Sequence, residues 1–422
     1  MLAIDSIGGK YREVPVRQRE KNYFAGGGVL VHCEGTGTML EADSVAWFAG
    51  IGRFDMIGQK NPVHIRDTAV VLDATTASYF LRQERLEAHR NVVAVNRRTG
   101  SVLRGPNLTY YRALKGVRDT LEMYATARPT IEYRSRPDSG EPYVIVGDRV
   151  RFKGNDRMWG GGNVTIDRSD LAARGDSMEL DQTAGVGLLV GHPRVQGKGE
   201  RAYTLVGRRI ELGLEAREVK LVKARGQGEA TGADWKLTAD TIHLALERRK
   251  LQHAFAWGDS SRPHAVSTLN TIQSDSLALD LPDEVLTEAR AYRRAYATSK
   301  RDSIAKADVN WIAGDTITAR WAQLPDSAGK PKTKLRQLVA RGSARSFTHL
   351  YNEHDSTAGP SLNYSRAPSI DITVAGDKID RVLASGRADG LQLEPRPPKP
   401  PADSTKAAAD STKPRAARRK AP

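Results

Sequence analysis

A short unit of alternating apolar and polar residues recurs along almost the whole chain, and it restricts the fold more than any other property of the sequence. Its clearest copy runs from Leu237 to Asp259. Apolar residues take every second position on both sides of Asp240-Thr241, and another alternating stretch leads to Gly258-Asp259. A period of two is typical of strands that bury one face. We therefore predict two strands joined by a charged turn, with turns also at Asp240-Thr241 and Gly258-Asp259.

Each copy has an acidic half and a half that contains glycine. The acidic position is occupied at Asp43, Asp148, Asp176, Asp240, Asp275, Asp315 and Asp377, and Arg208 takes its place in one copy. The spacing drifts from 28 residues between Asp148 and Asp176 to 40 between Asp275 and Asp315. A persistent unit with loops of variable length predicts an elongated all-β array built from repeated strand pairs.

Composition agrees with many short, half-solvated strands. Hydrophobic residues make up 39% of the chain and aromatic residues 6%, and there are 38 glycines. The nearest group to a metal site, His349, His354 and Asp355, lacks the helical spacing of known zinc motifs. No nucleophile, base or phosphate-binding motif stands at a workable spacing. We predict no enzymatic activity, no catalytic residues, no metal and no cofactor.

The row of aspartates allows two interpretations. Repeated carboxylates bind calcium in some repeat proteins and act as acid and base in polysaccharide-cleaving β-helices. Each, however, precedes Ser, Thr, Arg or Lys at the edge of a strand. An Asp side chain in such a place commonly accepts hydrogen bonds from turn amides. We favour the structural role.

The composition of the chain changes after residue 394. Residues 395–422 contain seven of the 20 prolines and eight Lys or Arg against two Asp, and this leaves +9 of the net charge of +15 for the rest of the chain. Such a composition predicts a disordered, solvated tail, with contact to an anionic membrane surface as the alternative. We divide the chain into an N-terminal arm (1–24), the repeats (25–394) and this tail. The repeats form one unit, or two with a break near 135–142.

The charges and the first residues limit the partners. Positive charge outside the tail is spread among turns of mixed sign, so we predict no nucleic-acid partner. The start, Met1 to Lys10, lacks the basic and apolar regions of a secretory signal. The single cysteine, Cys33, lies in an apolar alternation and is expected to be a small buried residue.

The recurring motifs together resemble the OstA-like (LptA-like) family. They are Leu-Glu-Ala-Asp-Ser-Val at 40–45, Leu-Thr-Ala-Asp-Thr-Ile at 237–242, Ala-Gly-Asp-Thr-Ile at 313–317 and Ala-Arg-Gly-Ser-Ala-Arg-Ser at 340–346. The family includes the periplasmic bridge protein of lipopolysaccharide transport and the N-terminal domain of the outer-membrane lipopolysaccharide-assembly protein. The resemblance extends over roughly residues 25–394.

The resemblance implies an elongated open β-jelly-roll, in which two antiparallel sheets form a V-shaped trough. It implies a periplasmic, outer-membrane-associated protein that shields the acyl chains of lipid A without catalysis. Its partners would be lipopolysaccharide and other Lpt-type β-jelly-roll proteins, joined through edge strands. Lipid contacts would be spread over inward apolar positions, for which we select Val45, Val70, Leu72, Ile242, Leu244 and Ile317.

Two other hypotheses remain at this point. The first is a right-handed parallel β-helix that acts on or binds polysaccharide, although the irregular spacing of the repeats argues against its uniform coils. The second is a structural or adhesive repeat protein with a fully packed interior. A closely packed pair of sheets would also bury the six selected residues, so their burial alone does not distinguish lipid binding from packing.

Overall fold

The protein is all-β in the computed structural model, as the repeat predicts. The structure describes residues 2–17, 20–35, 37–134, 140–199, 202–215, 218–300, 309–325, 331–351, 359–375 and 378–395. These contain 32 strands and three 3-10 turns, Ala49–Ile51, Leu81–Gln83 and Pro282–Glu284, but no α-helix. No helix in this part of the chain has the length and apolarity needed to cross a membrane. Residues 396–422, most of the predicted tail, and the repeat position Asp377 lie outside it.

The strands follow one another with short connections. In chain order they are β1 (Leu2–Ile7), β2 (Tyr11–Arg17), β3 (Glu20–Cys33), β4 (Thr38–Phe48), β5 (Arg53–Ile57), β6 (Val63–Arg66), β7 (Val70–Ala74), β8 (Thr76–Phe80), β9 (Arg85–Asn96), β10 (Val102–Tyr111), β11 (Glu122–Thr126), β12 (Thr130–Tyr133), β13 (Tyr143–Val146), β14 (Arg149–Lys153), β15 (Arg157–Asp167), β16 (Leu171–Asp181), β17 (Val186–Val190), β18 (Arg194–Gly197), β19 (Thr204–Val206), β20 (Arg209–Glu215), β21 (Glu218–Thr231), β22 (Lys236–Glu247), β23 (Lys250–Trp257), β24 (His264–Val266), β25 (Asn270–Gln273), β26 (Ser276–Asp280), β27 (Glu288–Lys300), β28 (Val309–Pro325), β29 (Pro331–Leu350), β30 (Ser361–Ala375), β31 (Lys378–Ser385) and β32 (Asp389–Leu393).

Hydrogen bonding arranges these strands in two sheets, which we call sheet I and sheet II. Sheet I has the order β2-β3-β4-β5-β8-β9-β10-β11-β14-β15-β16-β17-β20-β21-β22-β23-β26-β27-β28-β29-β30-β31. Sheet II has the order β1-β3-β4-β6-β7-β9-β10-β12-β13-β15-β16-β18-β19-β21-β22-β24-β25-β27-β28-β29-β30-β32. At about 4.8 Å between strands, 22 strands span on the order of 100 Å.

Long strands belong to both sheets. In β22 the inward residues are Leu237 and Ala239 before the bend, and Ile242 and Leu244 after it. Asp240 and Thr241 between them shift the alternation by one residue, and the register with β21 shifts near the same place. The prediction of a turn at Asp240-Thr241 was therefore wrong: the chain continues as one bent strand. A bulge redirects a strand without ending it.

Every one of the 35 strand pairs between the described residues is antiparallel, from β1 with β3 to β30 with β32. A parallel β-helix requires parallel ladders along its whole length. That alternative is therefore excluded as the fold of the described residues. The segment 288–300, which forms the strand β27, pairs with β26 and β28 in the same way.

The two sheets include the N-terminal arm and continue past the break suggested near 135–142. Residues assigned to the N-terminal arm form β1 and β2, which pair with β3. At the break suggested near 135–142, residues 135–139 lie outside the described part. On either side of them β12 pairs with β13, and β11 pairs with β14. Hydrogen bonding thus crosses this position in both sheets.

The hydrophobic core lies between the two sheets. Inward residues of sheet I and sheet II belong to one cluster of buried side chains, from Ala25 to Ile372. Because every second residue of each strand points inward, the cluster follows the sheets from end to end. We call the strand ends remote from the bends the rim of each sheet.

Candidate functional site

All six residues selected from the sequence are buried between the sheets. Val45, Ile242, Leu244 and Ile317 belong to sheet I, and Val70 and Leu72 belong to sheet II. Side-chain exposure is 7% or less for each of them. Their inward orientation follows from the two-residue period of strands that bury one face. Burial fits both lipid contact and simple packing of one sheet on the other.

Four cavities follow one another along the interior, each lined by both sheets. The first has about 470 Å³ of space outside protein atoms, part of it open to solvent, and is lined by Cys33, Thr38, Leu40, Ile65, Asp67, Val70, Leu72, Tyr79, Leu86, Leu108, Tyr110, Arg112 and Met123. The second shares Val70 and Met123 with it. The third, centred on Ile145 and Leu189, meets the second at Tyr133. The fourth lies between β24 and β29.

The first cavity is apolar except at its rim, where a buried ion pair joins the sheets. Asp67 follows β6 in sheet II, and Arg112 follows β10 in sheet I. Arg112 Nη2 lies 3.2 Å from Asp67 Oδ1, and the side chains are only 17% and 6% exposed. Tyr110 donates its hydroxyl to Asp67 Oδ2 at 3.2 Å. We call Asp67, Tyr110 and Arg112 the clasp.

The clasp is held by further hydrogen bonds. The backbone N–H of Thr68 donates to Asp67 Oδ1 at 2.6 Å, and Arg97 donates to the Asp67 carbonyl at 3.2 Å. Burial, and next the charge of Asp67, raise the pKa of Tyr110, so that it remains a neutral donor. Since a buried charge must be paired, Asp67 and Arg112 keep the two rims together at this point.

A second polar link crosses the rim above the second cavity. Asn96, at the end of β9 in sheet II, donates its side-chain amide to Asn155 Oδ1 at 3.0 Å. Asn155 lies in the turn after β14, in sheet I. Nearby, Arg98 and Asp156 form a solvent-exposed ion pair at 3.6 Å. The Arg98–Asp156 pair contributes little because it is exposed to solvent.

Buried tyrosines mark the rim farther along. Tyr203, just before β19 in sheet II, is 2% exposed, and its hydroxyl has no hydrogen-bond partner among the described residues. Burial, followed by the negative charge of Glu284 at the rim of sheet I, raises the pKa of this hydroxyl. Tyr143 lies under the guanidinium of Arg168, with 4.0 Å from Arg168 Cζ to the ring centre. Polar and aromatic groups thus close an apolar interior.

The repeated aspartates lie on the opposite side, at the bends. The carboxylate of Asp43 accepts hydrogen bonds from the backbone N–H groups of Asn61, Gln59 and Lys60, which together hold its pKa below the usual range. The carboxylate of Asp240 accepts in the same way from Ser260 and Ser261. No group of three or more His, Cys, Asp or Glu within the described residues could hold a metal ion.

In five copies of the repeat, the glycine leaves room for the side chain at the acidic position. A Cβ atom at the glycine would lie 3.0 Å or less from the side chain at the acidic position. This holds for the pairs Asp148 and Gly162, Asp176 and Gly191, Arg208 and Gly226, Asp240 and Gly258, and Asp315 and Gly342. In four of these pairs the glycine has a φ between +74° and +78°, and in the fifth, Gly258, φ is not positive. The aspartates therefore pack against glycine at the bends.

No protein-family model matches the sequence, and no curated protein matches it either. The functional assignment therefore depends on the residues and geometry described above.

Proposed function

We propose that this protein is a non-enzymatic, periplasmic lipid-binding bridge that shields the acyl chains of lipid A during lipopolysaccharide transport to the outer membrane. The observation that carries the proposal is the apolar interior between two sheets that run side by side along the described chain. Its fold, in this view, is an open β-jelly-roll whose rims part to admit acyl chains. Each CH₂ group moved from water into such an interior contributes about 0.8 kcal/mol.

The series of cavities supports movement along the interior. The first three cavities share lining residues, Val70 and Met123 between the first and second and Tyr133 between the second and third. Small displacements of these side chains would join the cavities. Met123 is suited to this role, because methionine adapts to irregular apolar surfaces. An acyl chain could then pass from one cavity to the next without contact with water.

The two ends of the array support assembly with similar proteins. Among the described residues, β1 and β2 pair with β3 alone, and β31 and β32 pair with β30 alone. Ile4 at one end and Leu383 at the other are 44% and 48% exposed. Open edges with exposed apolar residues favour pairing with another strand. We include end-to-end contacts with Lpt-type β-jelly-roll proteins in the proposal.

Photo-crosslinking from inside the first cavity tests lipid binding directly. A photoreactive phenylalanine analogue replaces Tyr79, which lines the cavity and is 8% exposed. A matched variant carries the same analogue at Tyr124, which lies on the outer face of β11 and contacts Arg151. We expect radioactive lipid A to crosslink at position 79 and not at position 124. Equal labelling, or none at either position, would overturn the proposal.

Mass spectrometry of organic extracts complements the crosslinking. Protein purified from its own cell envelope should carry glycolipid that added lipid A displaces in a saturable manner. Lipid-free protein without saturable binding of lipid A would instead support the packed structural or adhesive repeat protein. The measurement uses the full chain and needs no substitution.

A further inference from the structure

The outer face of sheet II carries an aromatic surface near its C-terminal end. Tyr296 of β27, Trp311 of β28, Phe347 of β29 and Tyr364 of β30 form a row of rings across four strands. The ring centres are 6.1 Å apart for Tyr296 and Trp311, and 6.3 Å apart for Trp311 with Phe347 and with Tyr364. Leu391 of β32 pairs with Tyr364 and extends the row. We call these five residues the aromatic patch.

The patch is exposed to solvent at both ends. Tyr296 is 41% exposed and Leu391 is 58% exposed, and Leu393 beside it is 51% exposed. An outward strand face in contact with water normally carries polar residues. Contiguous apolar groups on an outer face instead mark an interaction surface.

On β29 and β30, polar residues interrupt the apolar inner face behind the patch. Ser346 and Thr348 of β29 point inward and are fully buried, and their hydroxyl groups have no hydrogen-bond partner among the described residues. They pair in register with Ser365 and Asn363 of β30. A one-residue shift of register would place these polar residues outside and the rings inside. The observed register keeps the rings outside despite the cost of burying unpaired hydroxyls.

Positive charges border the patch on the same face. Arg345 of β29 lies directly opposite Arg366 of β30, and both are exposed. Like charges in directly opposite positions destabilise a strand pair unless an anion lies between them. Asp389 of β32 faces Arg366 from the other side and offsets part of this charge. Lys300, exposed at the end of β27, adds a further cation.

A basic segment comes shortly after β32 in the sequence. β32 ends at Leu393, and residues 396–422 begin three positions later with eight Lys or Arg against two Asp. Polybasic segments are attracted to anionic lipid surfaces.

We infer that the aromatic patch, with Arg345 and Arg366, docks this end of the protein on an anionic lipid surface. Tyr and Trp rings favour the boundary between headgroups and acyl chains, and the two guanidinium groups bind lipid phosphates. This surface lies outside the interior, so docking does not depend on lipid A binding between the sheets, and the two proposals can fail independently.

Vesicle co-sedimentation of the full chain tests the inference. We compare phosphatidylcholine vesicles with and without phosphatidylglycerol, and expect partition into the anionic vesicles that weakens with salt. Removal of the two charges in Arg345→Gln/Arg366→Gln should weaken partition by about 30-fold, from the attraction of two basic side chains near an anionic surface. Loss of the exposed apolar groups in Tyr296→Ser/Leu391→Ser should also weaken it several-fold.

A matched variant on the other sheet provides the control. Phe255→Ser removes an aromatic ring that is 41% exposed on the outer face of sheet I, and it should leave partition unchanged. Circular dichroism and thermal unfolding establish that all variants are folded. Three results would each overturn the inference: no partition of the full chain into anionic vesicles, equal partition of the patch variants and the full chain, or patch-dependent self-association without vesicles in sedimentation velocity. The last result would assign the patch to a second copy of this chain.

Discussion

Replacing Arg112 by methionine removes the cation of the clasp and leaves the Asp67 carboxylate buried without its ion-pair partner. The Asp67 side chain is only 6% exposed, so water can replace Arg112 only if the rims separate. Loss of one partner of a buried pair costs about 3–5 kcal/mol. Asp67 keeps the hydrogen bonds from Tyr110 and Thr68, so we expect the lower end of this range, about 3 kcal/mol.

Hydrogen exchange measures this loss at the clasp itself. A long array opens locally, so one global unfolding midpoint would not isolate the effect. Since about 1.4 kcal/mol corresponds to a factor of ten, we expect amides of β6, β7 and the end of β10 to exchange on the order of 100 times faster in Arg112→Met. Amides of β24 and β25, far along sheet II, should be unchanged.

A surface pair supplies the control for the clasp. Arg104 and Glu132 lie 2.7 Å apart on the outer face with 52% and 34% exposed side chains. Arg104→Met should change the free energy of local opening, measured by hydrogen exchange, by less than about 1 kcal/mol. The double variant Asp67→Asn/Arg112→Met removes both charges and should exchange more slowly than Arg112→Met. If Arg112→Met and Arg104→Met exchange alike, or if the double variant exchanges fastest, the clasp does not hold the rims together.

Three further predictions concern pH, the bends and the core. Burial, and next the charges of Lys223 and Arg225, lower the pKa of His243 below its usual 6.5. The stability that neutral His243 contributes is therefore present above pH 6.5 and is lost as the pH falls through the lowered pKa. Between about pH 7.5 and about pH 5.5 the unfolding temperature should fall further in the wild type than in His243→Gln, and parallel curves would contradict this. Gly342→Ala should lower thermal stability more than Gly35→Ala. Both glycines have positive φ (+75° and +77°), but only at Gly342 does a neighbour, Asp315, occupy the place of the new carbon. Equal losses of stability would mean that the Asp315 side chain moves aside freely. Ile242→Ala should lower the free energy of local opening of β22, measured by hydrogen exchange, by about 2–5 kcal/mol. The exposed Phe255→Ala should lower it by under about 1 kcal/mol. A small loss at Ile242 would indicate a loosely packed interior.

The sequence predicts the strands well because burial of one face leaves a period of two. The alternation around Leu237 and Ile242 places each residue on the inner face, as the structure shows. The bend between them was interpreted as a turn, because a bulge and a turn both interrupt the alternation at polar residues. Only the strand pairs on each side, with β24 and with β23, distinguish one bent strand from two. These contacts depend on tertiary structure and leave no local signal.

The clasp was not predicted from the sequence for a similar reason. Asp67 and Arg112 are 45 residues apart and belong to no repeated motif. Nothing in the spacing indicates that the turn after β6 and the segment after β10 meet across the rim. The polar residues of β29, Ser346 and Thr348, follow the same alternation as residues that point outward elsewhere, so their inward position also required the structure. The repeated aspartates, in contrast, were assigned to turns, and Asp43 and Asp240 accept hydrogen bonds there.

The strand order has a mechanical consequence for a molecule pulled at its two ends. Because the ladder hydrogen bonds run along the length of the array, tension would load successive strand pairs in series. The join between β28 and β29 has thirteen residue pairs, whereas β17 with β20 has five and β18 with β19 has three. In a single-molecule pulling experiment we expect rupture to begin at joins made of short strands. The array would part in the middle while its long-stranded C-terminal portion remained intact.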